Sequence, residues 1–195
     1  MPCSDNPNMN WIPLICLLAA CLLLMLLERL GLPTTLVLNM KGDVKRESRW
    51  LAQYGQAVCT IVAAVLILQL DPNARQIIPP LLIATFGASI VATIIKRLTG
   101  RVRPNREHAG QFLGPTLRHA NFRESFPSSH SASAVAMSAM LAHFYPPAAG
   151  TFWTLAILCA ALRYVLDAHW PSDVIGGIAV GYAAAAVTCH VLGLG

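Results

Sequence analysis

Six long apolar blocks most constrain what this 195-residue chain can fold into. They run over residues 11–30, 52–70, 77–95, 129–145, 150–169 and 173–194. A helix needs about 20 apolar residues to cross the hydrocarbon core of a bilayer, and most of the blocks reach or approach that length. No strand alternation is visible, and backbone polar groups inside a bilayer must bond within the protein. The sequence therefore predicts an all-α bundle of six transmembrane helices.

Composition supports a membrane protein. Apolar residues make up 55% of the chain and charged residues 12%, about half the charged fraction of an ordinary soluble domain. Six spans leave almost no residues for a soluble domain, so we expect residues 1–195 to form a single membrane-embedded domain. No Lys or Arg precedes the first block, and its apolar run continues beyond Cys21. We therefore expect a retained first span and not a cleaved signal peptide.

The cysteines form no Cys-x-x-Cys pair, and five of the six lie in predicted spans. They are Cys3, Cys16, Cys21, Cys59, Cys159 and Cys189. We interpret them as small apolar residues, forming neither a metal site nor a disulfide framework.

Positive charge gathers on one side of the predicted bundle. The links after the first, third and fifth blocks share that side, which we call the basic face, and both termini lie opposite. The basic face carries Lys41, Lys45, Arg46, Arg49, Lys96, Arg97, Arg101, Arg103, Arg106, Arg118 and Arg123. Only Arg75 remains on the opposite side. The net charge of +5 is thus concentrated where the links after the odd-numbered spans meet.

Three fragments of the basic face carry candidate chemistry: "KRLTGRVRP" at residues 96–104, "PSSH" at 127–130 and "RYVLDAHWPSD" at 163–173. They are distant in sequence and become neighbours if the helices form a bundle. Each has a purely structural interpretation as well. Lys96 and Arg101 are typical of interfacial anchors at the end of a span. Ser128 is typical of a helix N-cap.

We assign the other polar and small residues of the spans either to function or to packing. Arg163 lies late in an apolar block, where a charge costs about 2.5–3.5 kcal/mol on insertion scales, and this cost indicates function. His143 and His190 have no charged or catalytic neighbours in sequence, so we assign them to packing or to an interface. Gly177 and Gly181 form a small-xxx-small pair, which predicts close packing inside the bundle.

Together the three fragments suit phosphoryl transfer. A phosphate needs several positive donors around its oxygens, which Lys96, Arg103 and Arg163 can supply. The backbone N–H groups near Ser128 and Ser129, at the start of a predicted helix, can add to them.

Two histidines can provide the nucleophile and the acid. Asp173 follows His169 by four residues, so its carboxylate can hold one ring nitrogen and leave the other free to attack. Pro171 between them fits the first turn of a new helix. His130 can then protonate the leaving group.

These motifs resemble those of the type 2 phosphatidic acid phosphatase family. That family's signature is Lys, six residues and Arg-Pro, then Pro-Ser-Gly-His, then Ser-Arg, five residues, His, three residues and Asp. The matching positions are Lys96, Arg103, Pro104, Pro127, Ser128, His130, Arg163, His169 and Asp173. Ser129 replaces the usual Gly, and Leu162 the usual Ser. The resemblance runs from about the third span to the end of the chain.

The resemblance implies a six-span lipid phosphatase that needs neither metal nor other cofactor. It implies that His169 forms a phosphohistidine, that Asp173 orients it and that His130 is the general acid. The implied phosphate-binding residues are Lys96, Arg103, Ser128, Ser129 and Arg163. The expected partners are a lipid phosphate and the bilayer, with no nucleic acid.

Other functions stay open from the sequence. A lipid phosphotransferase would use the same intermediate, and a non-catalytic anion or lipid transporter could use the basic face for binding alone. A vanadate-dependent haloperoxidase has a similar anion site but is soluble and longer. Phosphatidic acid, phosphatidylglycerol phosphate, a polyprenyl diphosphate and a lipid A phosphate are all candidate substrates. The link over residues 97–126 can close over the headgroup with Arg106, His108, Arg118, His119 and Arg123.

Two indications disagree about which side of the membrane carries the site. The positive-inside rule places the basic face in the cytoplasm. Resemblance to bacterial family members implies an extracytoplasmic site in the cytoplasmic (inner) membrane. Catalysis explains the cations of the third link, so only those of the first link are independent evidence about orientation. We favour the extracytoplasmic orientation.

Overall fold

A computed structural model of the chain describes residues 11–32, 34, 36, 41–116, 120–166 and 169–194. Of the residues named in the sequence analysis, Cys3, Arg118 and His119 lie outside the described residues. The described part contains seven α-helices, two short 3-10 turns and no strand beyond an isolated bridge between Arg101 and Phe112. The all-α prediction is therefore confirmed.

The helices are α1 (Ile12–Arg29), α2 (Gly42–Leu51), α3 (Ala57–Leu70), α4 (Ala74–Thr99), α5 (Ser129–Phe144), α6 (Ala149–Val165) and α7 (Pro171–Leu192). Each predicted span contains one helix, and α2 is an additional polar helix in the first link. Helices α1, α4 and α7, together with α6 and the turn before it, are long and apolar enough to cross a membrane. Helices α3 and α5 have only 14 and 16 residues, so the count of six spans stays a prediction.

Helix α5 is the core of the bundle, with α4, α6 and α7 packed around it. All its residues from Ser131 to Ala142 are buried, and most of them are small. Gly177 and Gly181 of α7 face the backbone of α5, where an added Cβ atom would collide with the carbonyl oxygens of Ser128 and Ala132. The prediction that these two glycines serve close packing is confirmed.

Helix α1 packs against α7 and is otherwise largely exposed. Its one buried residue, Cys21, places its thiol 3.4 Å from the carbonyl oxygen of Ser172. An added Cβ atom at Gly176 would collide with the Phe126 ring. The contact between α1 and α7 places the last turn of α1, which includes Glu28, beside the start of α7.

The interpretation of the cysteines needs one correction. Cys16, Cys21, Cys59 and Cys159 are free thiols, as expected of small apolar residues. Cys189, in the last turn of α7, is disulfide-bonded, so its interpretation as merely a small apolar residue is wrong. A disulfide joins cysteines that are close in space, and sequence spacing alone does not show such a pair.

The third link folds back over the ends of the helices. Helix α4 ends at Gly100, whose left-handed backbone (φ 59°) suits glycine, and an added Cβ atom would meet the carbonyl oxygen of Gly114. The Val102 N–H donates to the Gln111 carbonyl at 2.9 Å. The Ser125 N–H donates to the Arg101 carbonyl at 3.0 Å. These bonds fold the link onto itself. The Trp170 Nε1 atom donates to the Val102 carbonyl at 3.1 Å, which ties the link to the start of α7.

Candidate active site

The predicted site residues lie at one end of the bundle, which we call the site end. Four helix termini supply them: the last turns of α4 and α6 and the first turns of α5 and α7, with the third link above. These elements carry Lys96, Arg163, Ser128, Ser129, His130, Asp173 and Arg103, and His169 lies two residues before α7 begins. The His130 imidazole lies within electrostatic range of Arg163, Lys96, His169 and Arg103. The three sequence fragments are thus neighbours in space.

His169 and Asp173 form a buried pair. The His169 Nδ1 atom lies 3.6 Å from Asp173 Oδ2, slightly beyond hydrogen-bond distance, and the two side chains are 1% and 0% exposed. Neither ring nitrogen of His169 has a hydrogen-bond partner among the described residues. Burial lowers the pKa of His169 to about 4, although the Asp173 carboxylate acts in the opposite direction. The imidazole is therefore neutral at ordinary pH, as a nucleophile must be.

The Asp173 carboxylate is held by three donors. Arg101 Nη1 donates to Oδ1 at 2.7 Å, and the backbone N–H of Trp170 donates to Oδ2 at 2.9 Å. The Ser125 hydroxyl donates to Oδ2 as well. Asp173 sits in the first turn of α7, where the helix dipole also favours a negative charge. The carboxylate is fixed before any substrate binds.

Arg101 is not the interfacial anchor that its position at a span end indicates. Its side chain is only 3% exposed, and besides Asp173 it contacts Glu28, with Nη2 2.6 Å from Oε2. The anchor interpretation is wrong because the third link folds inward and carries Arg101 beneath Phe112 and Trp170. The same correction applies to Lys96, which is 7% exposed in the last turn of α4.

Arg103 and Arg163 complete the positive charge of the site. Arg103 Nε donates to the Asn121 carbonyl at 2.8 Å, which fixes the guanidinium. Burial lowers the pKa of Arg103, while the carboxylates of Asp173 and Glu124 act against this effect. Arg163 Nε is buried without a hydrogen-bond partner in the described part of the chain. A buried guanidinium nitrogen without a partner favours an anionic ligand.

The start of α5 serves as a cap and leaves backbone donors available. Ser128 is the N-cap, and its hydroxyl accepts from the Ser131 hydroxyl at 2.9 Å and from the Ser131 N–H. The Ser128 N–H donates to the Asp173 carbonyl at 2.8 Å, which ties α5 to α7. Ser129 and His130 occupy the first two helical positions, whose N–H groups have no acceptor within the helix. The side chain of Ser128 is thus occupied by capping.

The structure adds three residues to the predicted set: Glu28, Arg101 and Ser125. Ser125 and Arg101 lie within or beside the recognised motifs, but nothing in their spacing marks them as ligands of Asp173. Glu28 carries a stronger signal, because it is the only acid in the first apolar block, and a charge there is costly. Sequence alone could have marked it as functional but could not have named its partner.

Two lipid A 1-phosphatases are similar to the chain in sequence. The protein of Rhizobium johnstonii is 32% identical over 158 residues, which cover 72% of this chain and 64% of that protein. The protein of Rhizobium etli is 33% identical over 156 residues, covering 71% of this chain and 67% of that protein. The chain thus spans about two thirds of the length of these relatives.

Two crystal structures share the fold. LpxE of Aquifex aeolicus has a TM-score of 0.63 at 18% identity, over 77% of this chain and 88% of that one. The PAP2 type phosphatidylglycerolphosphate phosphatase of Bacillus subtilis has a TM-score of 0.60 at 16% identity, over 91% of each chain. Together with the apolar helices, these similarities support an integral membrane protein.

The family profile of the PAP2 superfamily matches residues 79–193. This region is more than half of the chain, and it includes every residue predicted for the site. It begins within α4 and ends just after α7, so it leaves out α1, α2 and α3. The chain belongs to the PAP2 superfamily.

Proposed function

We propose that the chain is an integral membrane phosphatase that hydrolyses a lipid phosphate through a phosphohistidine intermediate, without a metal ion. The observation that carries this proposal is the buried His169–Asp173 pair, which lies with His130 among the cations Lys96, Arg103 and Arg163. We further propose that residues 1–195 form one domain of six spans, in which α3 and α5 cross within the bundle.

The first step forms the covalent intermediate. Asp173 favours the proton on Nδ1 of His169, which leaves the lone pair of Nε2 for attack on phosphorus. The N–P bond forms as the P–O bond to the lipid breaks. The negative charge of the bound phosphate favours a proton on His130, taken up from solvent. His130 gives this proton to the departing oxygen, so the lipid leaves as a neutral alcohol. The proton held on Nδ1 gives the phosphohistidine a positive ring, which the Asp173 carboxylate stabilises.

The second step releases phosphate. His130, now neutral, takes a proton from a water molecule as that water attacks phosphorus, and the N–P bond to His169 breaks. His130 regains its proton, so the cycle closes with one water consumed. Lys96, Arg103 and Arg163, with the N–H groups of residues 129 and 130, neutralise the charge on the phosphoryl oxygens in both steps.

We propose a lipid A 1-phosphate as the first candidate substrate. The two curated relatives are named as lipid A 1-phosphatases, and the site lies at the ends of apolar helices, where a headgroup meets the protein while its acyl chains stay in the bilayer. Phosphatidic acid, phosphatidylglycerol phosphate and a polyprenyl diphosphate use the same chemistry and serve as comparison substrates.

A substrate panel tests the proposal. The purified protein in detergent is assayed for released phosphate with the four lipids, each with and without EDTA, and then with vanadate. We expect the highest kcat/KM with lipid A 1-phosphate, no loss in EDTA and competitive inhibition by vanadate. Loss of turnover in EDTA that magnesium or zinc restores would show that the phosphate site depends on a metal. Absence of release from every lipid would favour a transporter.

Transfer and hydrolysis are separated by the same assay with a second lipid added as acceptor. A hydrolase releases phosphate at an unchanged rate, whereas a phosphotransferase forms a new phosphorylated lipid. We expect hydrolysis, because water needs no second lipid-binding groove at the site.

We propose that the chain lies in the bacterial cytoplasmic membrane with its site end outside, the orientation implied by the resemblance to bacterial family members. The four cations of the first link oppose this orientation under the positive-inside rule. With six spans the C-terminus lies opposite the site. A C-terminal fluorescent-protein fusion should therefore fluoresce in the cytoplasm, and a C-terminal alkaline phosphatase fusion should be inactive. The reverse pattern would place the site in the cytoplasm.

A further inference from the structure

The Glu28 side chain, in the last turn of α1, makes polar contacts with two other parts of the chain, although it lies outside the region that the family profile matches. Its carboxylate is 3% exposed. Oε2 accepts from Arg101 Nη2 and from the Ser172 hydroxyl, each at 2.6 Å, and Oε1 accepts from the Ser172 N–H at 3.1 Å. Glu28 therefore binds both the third link and the first turn of α7.

Arg101 joins this contact to the proposed catalytic pair. One guanidinium nitrogen donates to Glu28, and the other donates to Asp173 at 2.7 Å and to the Ser172 hydroxyl at 2.6 Å. The guanidinium carbon lies 5.3 Å from the ring centroids of both Phe112 and Trp170. Two carboxylates and two rings thus fix a planar group that an ammonium could not replace with the same geometry.

Charge makes the arrangement interdependent. Arg101 is a buried cation shared between two buried carboxylates, and removing one partner of such a group leaves an uncompensated charge. If Glu28 is neutral, Arg101 is balanced by Asp173 alone and draws more strongly on the carboxylate that must orient His169. A neutral side chain at position 28 also has only one good acceptor oxygen in place of two for the Ser172 N–H and hydroxyl, one residue before Asp173. Both changes displace Asp173 and weaken its hold on His169.

We propose that Glu28 and Arg101 are positioning residues for the Asp173–His169 pair, so that the first helix of the bundle takes part in catalysis. The inference rests on the proposed function. The competing explanation is structural: the contact would only anchor α1 to α7, and its loss would lower stability without altering the chemistry.

A double-mutant cycle on kcat separates the two explanations. Glu28→Gln, which keeps the size of the side chain, is made in the parent protein and in an Asp173→Asn background. With the substrate that the panel identifies, we expect kcat to fall about 10- to 100-fold in the parent, because small displacements of catalytic groups have effects of this size. KM should change by no more than about twofold, because Glu28 is not one of the proposed phosphate-binding residues.

In the Asp173→Asn background the same change should alter kcat by less than about twofold, because the group through which Glu28 acts has already lost its charge. An equal loss in both backgrounds would overturn the proposal, as would an unchanged kcat in the parent. If turnover of Asp173→Asn is too slow for the cycle, the parent background decides. A lower kcat per folded enzyme at unchanged KM supports positioning, and a lower folded yield or melting temperature at normal kcat overturns it.

Additional variants serve as controls for this test. Glu28→Asp keeps the charge and should recover part of the kcat that Glu28→Gln loses, and it replaces Glu28→Gln in the cycle if that variant fails to fold. Arg101→Lys should lower kcat at similar KM, while Arg97→Lys and Glu47→Gln, matched exposed changes, should leave kcat unchanged. A parent protein that hydrolyses no lipid phosphate would refute the proposed function, whereas failure of the positioning role requires an active parent.

Discussion

The two ends of the bundle differ in how deeply their charged groups are buried. At the site end, the side chains of Glu28, Arg101 and Asp173 are each no more than 3% exposed, and Arg101 forms an ion pair with each of the two acids. At the far end, the Tyr145 hydroxyl donates to Asp71 at 2.8 Å in a partly exposed pair between the α3–α4 and α5–α6 turns. Hydrogen bonds from the Asn73 N–H and from Tyr145 lower the pKa of Asp71.

The difference supports the proposal that the site end carries the chemistry. A partly exposed pair contributes little, because water competes for both partners. A buried charged cluster has no water to replace a lost partner, so each group depends on the others. Such an arrangement costs stability, and it is retained where fixed charges act on a reacting group. Mutations at the site end should therefore change the rate, and matched mutations at the far end should not.

Loss of the nucleophile should have the largest effect. We expect His169→Ala to lower kcat by about a millionfold, because a covalent route without its nucleophile has no second path of comparable rate. The measurement is phosphate release per folded enzyme. The control is His190→Ala, a histidine at the far end of α7, which should keep full activity. A His169→Ala protein with a tenth of the parent activity would refute the assignment.

Loss of the orienting charge should be severe but smaller. We expect Asp173→Asn to lower kcat by about 10²- to 10⁴-fold, because the imidazole loses its orienter and its countercharge. Asp71→Asn makes the same chemical change at the far end and should leave kcat unaltered. If the two variants had similar kcat values, the contrast between the ends of the bundle would be wrong.

The start of α5 offers a third test, of binding. Ser129→Asp keeps a residue that suits a helix N-terminus but places a carboxylate against the phosphate, so we expect KM to rise, by about tenfold. Ser129→Gly, the usual residue of the family, should be tolerated with a modest loss of stability. If the Ser129→Asp enzyme binds substrate and vanadate as well as the parent, this stretch is an ordinary helix start and does not bind phosphate.

The pH dependence of the free enzyme should reflect the buried histidine. Because the pKa of His169 is about 4 and not the ordinary 6.5, the acid limb of kcat/KM due to His169 should lie near pH 4. The unfolded chain binds this proton more readily, so the free energy of unfolding should decrease as the pH falls from 6.5 towards 4. An acid limb that stays near 6.5 in the His130→Gln variant would contradict this assignment.

The far-end pair should give the smallest effect. Tyr145→Phe removes one hydrogen bond from a partly exposed pair, so we expect the melting temperature to change by no more than about 3 °C and kcat to stay the same. Glu28→Gln, at the site end, provides the comparison. A larger loss of kcat in Tyr145→Phe than in Glu28→Gln would remove the distinction between the two ends.

The membrane fold and the proposed catalytic set were accessible from sequence because both depend on local patterns. Each apolar block contains a helix, although the 52–70 block forms one only from Ala57 onwards because residues 52–56 form turns. The four-residue separation of His169 and Asp173 survives in the structure as a buried pair. Spacing within a few residues limits where side chains can meet, whatever the rest of the chain does.

The partners of these residues were decided by tertiary structure. Nothing in the sequence joins Glu28 to Arg101 and Ser172, which are 73 and 144 residues away, or turns Arg101 from an apparent anchor into a buried ligand of Asp173. The disulfide of Cys189 escaped prediction for the same reason. Local sequence patterns were enough to predict the membrane environment, the helices and the candidate chemical groups of the site. Which groups hold them in place depended on helix packing and on the folding of the third link, because a contact between distant segments is a property of their positions in space and leaves no periodicity in the chain.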